Sequence, residues 1–148
     1  MCDAIRLPLS EFTADQVRHY RLDEYVSEYP DGELMATFRR IQIVPYIHHG
    51  QLLLAEWPES LKLHQIQDGS LNYQKPELVE IPAKVAMERG AWFDVDPKRI
   101  RGILIPGKGR HQSDRVFVLV RPAVDVYERM THGEWQPVYV GGEFDPID

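Results

Sequence analysis

Six cations crowd into one stretch of this chain. Lys98, Arg99, Arg101, Lys108, Arg110 and Arg115 lie between residues 98 and 115, with Asp114 as the single acid among them. The chain as a whole carries a formal charge of −6, from 17 Lys and Arg against 23 Asp and Glu, so the basic strip is a local feature. That balance excludes a generally cationic nucleic-acid coat or membrane-surface protein and leaves room for a local anion site. Within the strip, Gly107-Lys108-Gly109-Arg110-His111-Gln112-Ser113 reads as a polar loop between two apolar runs. In a hairpin it would present Lys108, Arg110 and His111 at the tip, with Arg99, Arg101 and Arg115 at the base. The two glycines would leave backbone N–H groups free to face an anion. The pattern is not a phosphate-binding P-loop, which requires Gly-x-x-x-x-Gly-Lys followed by Ser or Thr and a helix.

Cys2 is the single cysteine and the one candidate thiol nucleophile. Removal of Met1 would set an α-amino group beside its thiol, an arrangement competent for amide or aldehyde chemistry. The six histidines do not suggest a metal. His48 and His49 are adjacent and in a strand would point to opposite faces. His19, His64, His111 and His132 lack zinc-motif spacing, and no His-Glu-x-x-His is present. No dinucleotide fingerprint, nucleophile elbow or kinase signature occurs, so neither metal nor cofactor is expected. The carboxylate pairs Asp94/Asp96 and Asp125/Glu128 read as solvated surface.

Three scraps of sequence go together: Met1-Cys2 at the start, Arg101-Gly102-Ile103-Leu104-Ile105-Pro106, and His132 followed by Pro137-Val138. In these the chain resembles the SOS response-associated peptidase family, whose members begin Met-Cys and cross-link through that cysteine to abasic sites in single-stranded DNA. The resemblance implies catalytic roles for Cys2 and His132. It carries no catalytic glutamate across, because Arg110-His111 stand where the family has aromatics followed by Glu-Trp. The family's Asn-x-Arg segment and its Asn-x-x-Pro after the first helix are also missing, and the chain is shorter than the family norm.

The elements that must position these residues read as one α+β domain over residues 1–148. With 148 residues and 43% hydrophobic composition the chain can bury a core without disulfides or metal. Thr13-Ala14-Asp15-Gln16 has capping-box form and opens the first helix, with Leu22, Tyr25, Val26 and Tyr29 on one face and Pro30-Asp31-Gly32 as the stop. Residues 37 to 47 alternate as a strand, in which Pro45 predicts an edge or bulge. His48-His49-Gly50 turns into Leu52-Leu53-Leu54, and residues 61 to 67 alternate again. Residues 79 to 88 fit either a strand or a short helix. Residues 99–105 and 115–120 read as strands buried on both faces. A short helix follows Pro122 with Val124, Tyr127 and Met130 inward, and Val138-Tyr139-Val140 forms the last strand. About six strands in a mostly antiparallel curved sheet, with an N-terminal helix and a short helix near the C-terminus, complete the expected fold.

No secretory signal or membrane span is visible, so a cytoplasmic protein without membrane contact is expected. The leading functional expectation is a small, non-enzymatic accessory protein. Its basic Gly-rich hairpin would contact an anionic partner, either nucleic acid, a phosphate ligand or an acidic protein surface. Two alternatives stand beside it: a thiol-dependent enzyme using Cys2 and His132, and a homo-oligomeric structural protein with no ligand.

Overall fold

The computed structural model describes residues 3–27, 33–37 and 43–146. The described strands and helices in chain order are β1 (Ala4–Pro8), α1 (Ala14–Tyr20), β2 (Val26–Ser27), β3 (Glu33–Thr37), β4 (Ile43–His48), β5 (Gln51–Glu56), β6 (Ser60–Lys62) and α2 (Leu63–Gln67). They continue with β7 (Glu77–Ile81), β8 (Val85–Glu88), β9 (Ala91–Asp94), β10 (Ile100–Ile105), β11 (Arg115–Pro122), α3 (Asp125–Thr131) and β12 (Trp135–Pro137). None of the helices among these residues is long and apolar enough to cross a membrane.

The chain is mixed α and β and its pairings are mostly antiparallel, but the expected single curved sheet of about six strands is corrected. Strands β10, β7, β4, β5 and β11 follow one another as neighbours, and β10 also pairs β11, so the ring closes into a five-stranded barrel. Closure uses the parallel contact Arg115↔Glu56 between β11 and β5, a long-range pairing that no local pattern announces. Strands β6 and β12 attach to β11 outside the ring. A second sheet runs β2-β3-β1-β8-β9.

Strand β11 shows why the ring holds. Its Val116, Val118 and Val120 join a core that also contains Val44, Val79, Ile5, Ala86 and Phe93, so barrel and second sheet share packing. Its Phe117 and Leu119 face the other way, into a cluster with Leu61, Leu63, Ile103 and Ile105. Burial on both faces is what its nearly unbroken apolar run requires.

The capping box forms as expected: the Gln16 N–H donates to Thr13 Oγ1 at 3.1 Å, and the Thr13 N–H donates to Gln16 Oε1 at 2.9 Å. The helix it starts is shorter than its periodicity suggests. It stops at Tyr20, Arg21 turns left-handed at φ 53°, and Leu22–Tyr25 form a 3-10 turn before Val26 enters β2. Burial of Leu22 among Leu7, Phe12 and Leu34 overrides the helical spacing. The expected stop at Pro30-Asp31-Gly32 lies outside the described residues.

The first element is a strand, β1, that was not expected. The strand expected over residues 37 to 47 divides between β3 in one sheet and β4 in the other, and Arg39, Arg40, Ile41 and Gln42 lie outside the described residues. Pro45 is buried within β4 opposite Leu54, and β4 meets β7 only at Ile47↔Glu80, so Pro45 interrupts no continuous ladder on that side. The turn at His49-Gly50 has positive φ at both residues, the type I′ geometry of a two-residue hairpin. Residues 61 to 67 fold mainly as α2 instead of a strand, and the ambiguous stretch 79 to 88 resolves into the end of β7 and all of β8. In α3 the buried residues are Tyr127 and Thr131, while Val124 and Met130 are exposed and Pro122 ends β11. The last strand is Trp135–Pro137, after which Tyr139 bridges to Ile100 across the start of β10.

Candidate functional site

The hairpin at residues 106–114 exists: Ile105 pairs Arg115, and Lys108, Arg110 and His111 are exposed on the connecting loop. Arg115 sits at its base, as expected. Arg99 and Arg101 do not. They lie at the opposite end of β10, and about 3.3 Å of rise per residue puts Arg101 roughly 13 Å along the strand from Ile105. Arg101 is also buried at 2% exposure, where its Nε and Nη2 donate to the two carboxylate oxygens of Asp145 at 2.9 and 2.8 Å. Arg99 lies 3.4 Å from Glu80. The basic strip is therefore split in two because a strand alternates and has length, which a charge count ignores.

The loop's own donors are also engaged. The Gly107 N–H donates to Asp114 Oδ1 at 2.8 Å and the Lys108 N–H to Gln112 Oε1 at 3.1 Å. A β-carbon at Gly107 would fall 1.8 Å from the Gln112 carbonyl oxygen, so glycine is required for this closure. The expectation of backbone N–H groups free to face an anion is corrected at these two positions. What the loop offers is side-chain charge.

His48 places Nε2 3.4 Å from Glu77 Oε2 and stacks on His49 at 3.9 Å between ring centroids. Among the described residues, no three His, Cys, Asp or Glu side chains gather as a metal site would require.

A different corner gathers chemistry. The Asp3 N–H donates to the Met87 carbonyl at 2.7 Å, and the Arg89 N–H donates to Asp3 Oδ2 at 2.8 Å, so Asp3 is fixed along the end of β8. Glu88, the last residue of β8, is 4% exposed. Burial is the main cause that pushes its carboxyl above the ordinary value, and the nearby Asp3 charge adds to the rise. Gly133 packs on the Glu88 side chain.

His132 caps α3 in the left-handed conformation at φ 58°, with its N–H donating to Glu128 at 2.7 Å. Its carbonyl accepts from Arg89 Nη1 at 3.1 Å. Arg89 is itself left-handed at φ 50°. Two residues in this costly conformation thus meet, and such strain persists only where surrounding contacts hold it. The Thr131 hydroxyl supplies some of them, donating to the Tyr127 carbonyl and accepting the Gly133 N–H. His132 also lines an open depression with Asp125, Glu128 and Arg129.

Cys2 lies outside the described residues. In the chain it immediately precedes Asp3. Of the corner's described residues, the sequence pointed to His132 and missed Asp3, Glu88 and Arg89. A signal for Glu88 was present: read as a strand, residues 85 to 88 alternate, and Glu88 shares its face with the core residue Ala86. A carboxyl group whose pKa is raised by burial is a better proton donor to an oxygen that develops negative charge than one at its ordinary value.

No protein-family model, curated protein or solved structure matches this chain.

Proposed function

We propose that the corner around Asp3, Glu88 and His132 serves Cys2 as a thiol-dependent site acting on an aldehyde, with an abasic site in single-stranded DNA as the substrate implied by the family resemblance. The observation that supports this most is Glu88, a buried carboxyl whose pKa burial raises and which packs against Gly133 at the end of the strand to which Asp3 is anchored. Once Met1 is removed, the α-amino nitrogen and the thiol sulfur of Cys2 both bond to the carbonyl carbon. The carbonyl oxygen leaves as one water molecule, and a five-membered thiazolidine ring remains. Glu88 gives a proton to the departing oxygen, and the protons released by nitrogen and sulfur restore the balance, so no oxidant or reductant is needed. In this reading His132, given a catalytic role by the family resemblance, accepts the thiol proton.

Intact-mass spectrometry of the full chain incubated with an abasic-site single-stranded oligonucleotide tests this reading. The expected product has the summed mass less one water and is lost in Cys2→Ala. Retention of Met1 on the purified protein, or an equal yield of adduct from Cys2→Ala, overturns the reading.

A second reading rests on the exposed Lys108, Arg110 and His111 as a contact for an anionic partner. Salt-dependent binding of an undamaged oligonucleotide that falls in Lys108→Ala and persists in Cys2→Ala favours it. Binding that neither salt nor Lys108→Ala changes rules it out.

A further inference from the structure

The segment that follows β12 is folded over the end of the barrel and held there on several sides. The Val138 N–H donates to the Leu119 carbonyl at 2.8 Å, and the Val140 N–H to the Arg99 carbonyl at 2.9 Å. Asp145 receives Arg101 and also the Gly141 N–H at 2.8 Å. Between this segment and the barrel lies a cavity of about 270 Å³ whose lining includes Lys98, Arg121, Gln136, Tyr139 and Phe144. Its walls are fixed by backbone bonds and a buried ion pair, so a ligand would not have to order them.

The lining combines cations with aromatic rings. The Arg121 guanidinium lies 3.4 Å from the Phe144 ring centroid, and Lys98 Nζ lies 5.3 Å from that of Tyr139. Phe144 is 38% exposed. The Arg121 Nε is buried and has no hydrogen-bond acceptor among the described residues. An Arg donor removed from water without an acceptor costs free energy that an incoming anion would recover. Glu143 is the one carboxylate in the lining, against the two cations.

We infer that this cavity binds a nucleotide unit, with the phosphate on Arg121 and Lys98 and the base against the exposed aromatic edge. Stacking on a ring together with contact to a cation is the combination that holds a base and its phosphate without reading sequence. The volume lies just below the usual range for ligand pockets, about 300–1,000 Å³, which favours one nucleotide over a dinucleotide. This site is separate from the Cys2 reading and does not depend on it. The unit could be free or part of a strand, and the chemistry that recognises it is the same.

The experiment uses Cys2→Ala protein, which removes any covalent product, and titrates it calorimetrically with adenosine monophosphate, adenosine, inorganic phosphate and a short single-stranded oligonucleotide. The monophosphate is expected to bind more tightly than either adenosine or phosphate alone. Arg121→Gln and Phe144→Ala are each expected to weaken it by about tenfold. Lys98→Ala, at an exposed position, is expected to weaken it less and serves as the variant least able to disturb folding. Binding of the oligonucleotide without the free monophosphate would assign the unit to a strand. Failure of both to bind, or equal binding by the parent and by folded variants, overturns the inference.

Discussion

Gly133 lies directly against Glu88: a β-carbon at residue 133 would stand 2.9 Å from the Glu88 Cγ and 3.1 Å from its Oε1. Side chains do not tolerate such a distance, so Gly133→Ala must push the carboxyl aside. The long Glu side chain can rotate, and the denaturation midpoint should move little. Adduct formation with the abasic-site oligonucleotide should slow by about 10- to 100-fold, the usual consequence of misplacing a reacting group by an ångström. Time-resolved mass spectrometry measures it, and an unchanged rate would remove Glu88 from the chemistry.

Glu88 also makes stability depend on pH. Its carboxyl is raised from an ordinary value of 4.5, first by burial and then by the charge of Asp3. Below 4.5 the folded and unfolded chains both hold the proton. As pH rises above that value the unfolded chain releases it while the folded chain retains it, so the unfolded state is favoured progressively until the folded group also ionises. The parent protein should therefore lose stability relative to Glu88→Gln as pH rises through that window. Urea unfolding of both proteins between roughly pH 4 and pH 8 checks the sign. Parallel curves would contradict it.

The Arg101 and Asp145 pair should be costly to break from one side. Their side chains are 3% and 6% exposed. Asp145→Asn leaves the guanidinium charge buried, and such losses typically cost about 3–5 kcal/mol. Urea unfolding should show it. Limited proteolysis should cut near residues 141–144 in the variant and spare the parent, because Asp145 also receives the Gly141 N–H.

The hairpin tip should behave in the opposite way. Lys108 and Arg110 are exposed, and the hydrogen bonds that shape the loop run through Gly107, Asp114 and Gln112. Replacing both cations with alanine should change unfolding free energy by less than about 0.5 kcal/mol. If the loop contacts phosphates, each cation lost should reduce the salt slope of oligonucleotide binding by about 1. A filter-binding series over salt concentration reads that slope, and a slope unchanged by the double substitution means that the loop does not carry the contact.

Local features were the readable part of the sequence. The Thr13 and Gln16 capping box, the turn at His49-Gly50, the paired strands on either side of residues 106–114 and a short helix before His132 all depend on residues within a few positions of one another. His132 was singled out only by the family resemblance, on its place ahead of Pro137-Val138.

Tertiary structure decided what joins distant positions. Arg101 finds Asp145 at a separation of 44 residues, which turns a candidate binding cation into a buried clasp. The parallel Arg115↔Glu56 contact helps turn a sheet into a barrel. Asp3 settles on Met87 and Arg89, and only then do Glu88, Gly133 and His132 form one corner. The sequence by itself determined the turns, caps and apolar strands, because these are set by short-range sterics and periodicity. Which charges are buried, paired or left facing a cavity was decided only when the chain closed on itself, since burial and dielectric are properties of the packed neighbours and not of the residue.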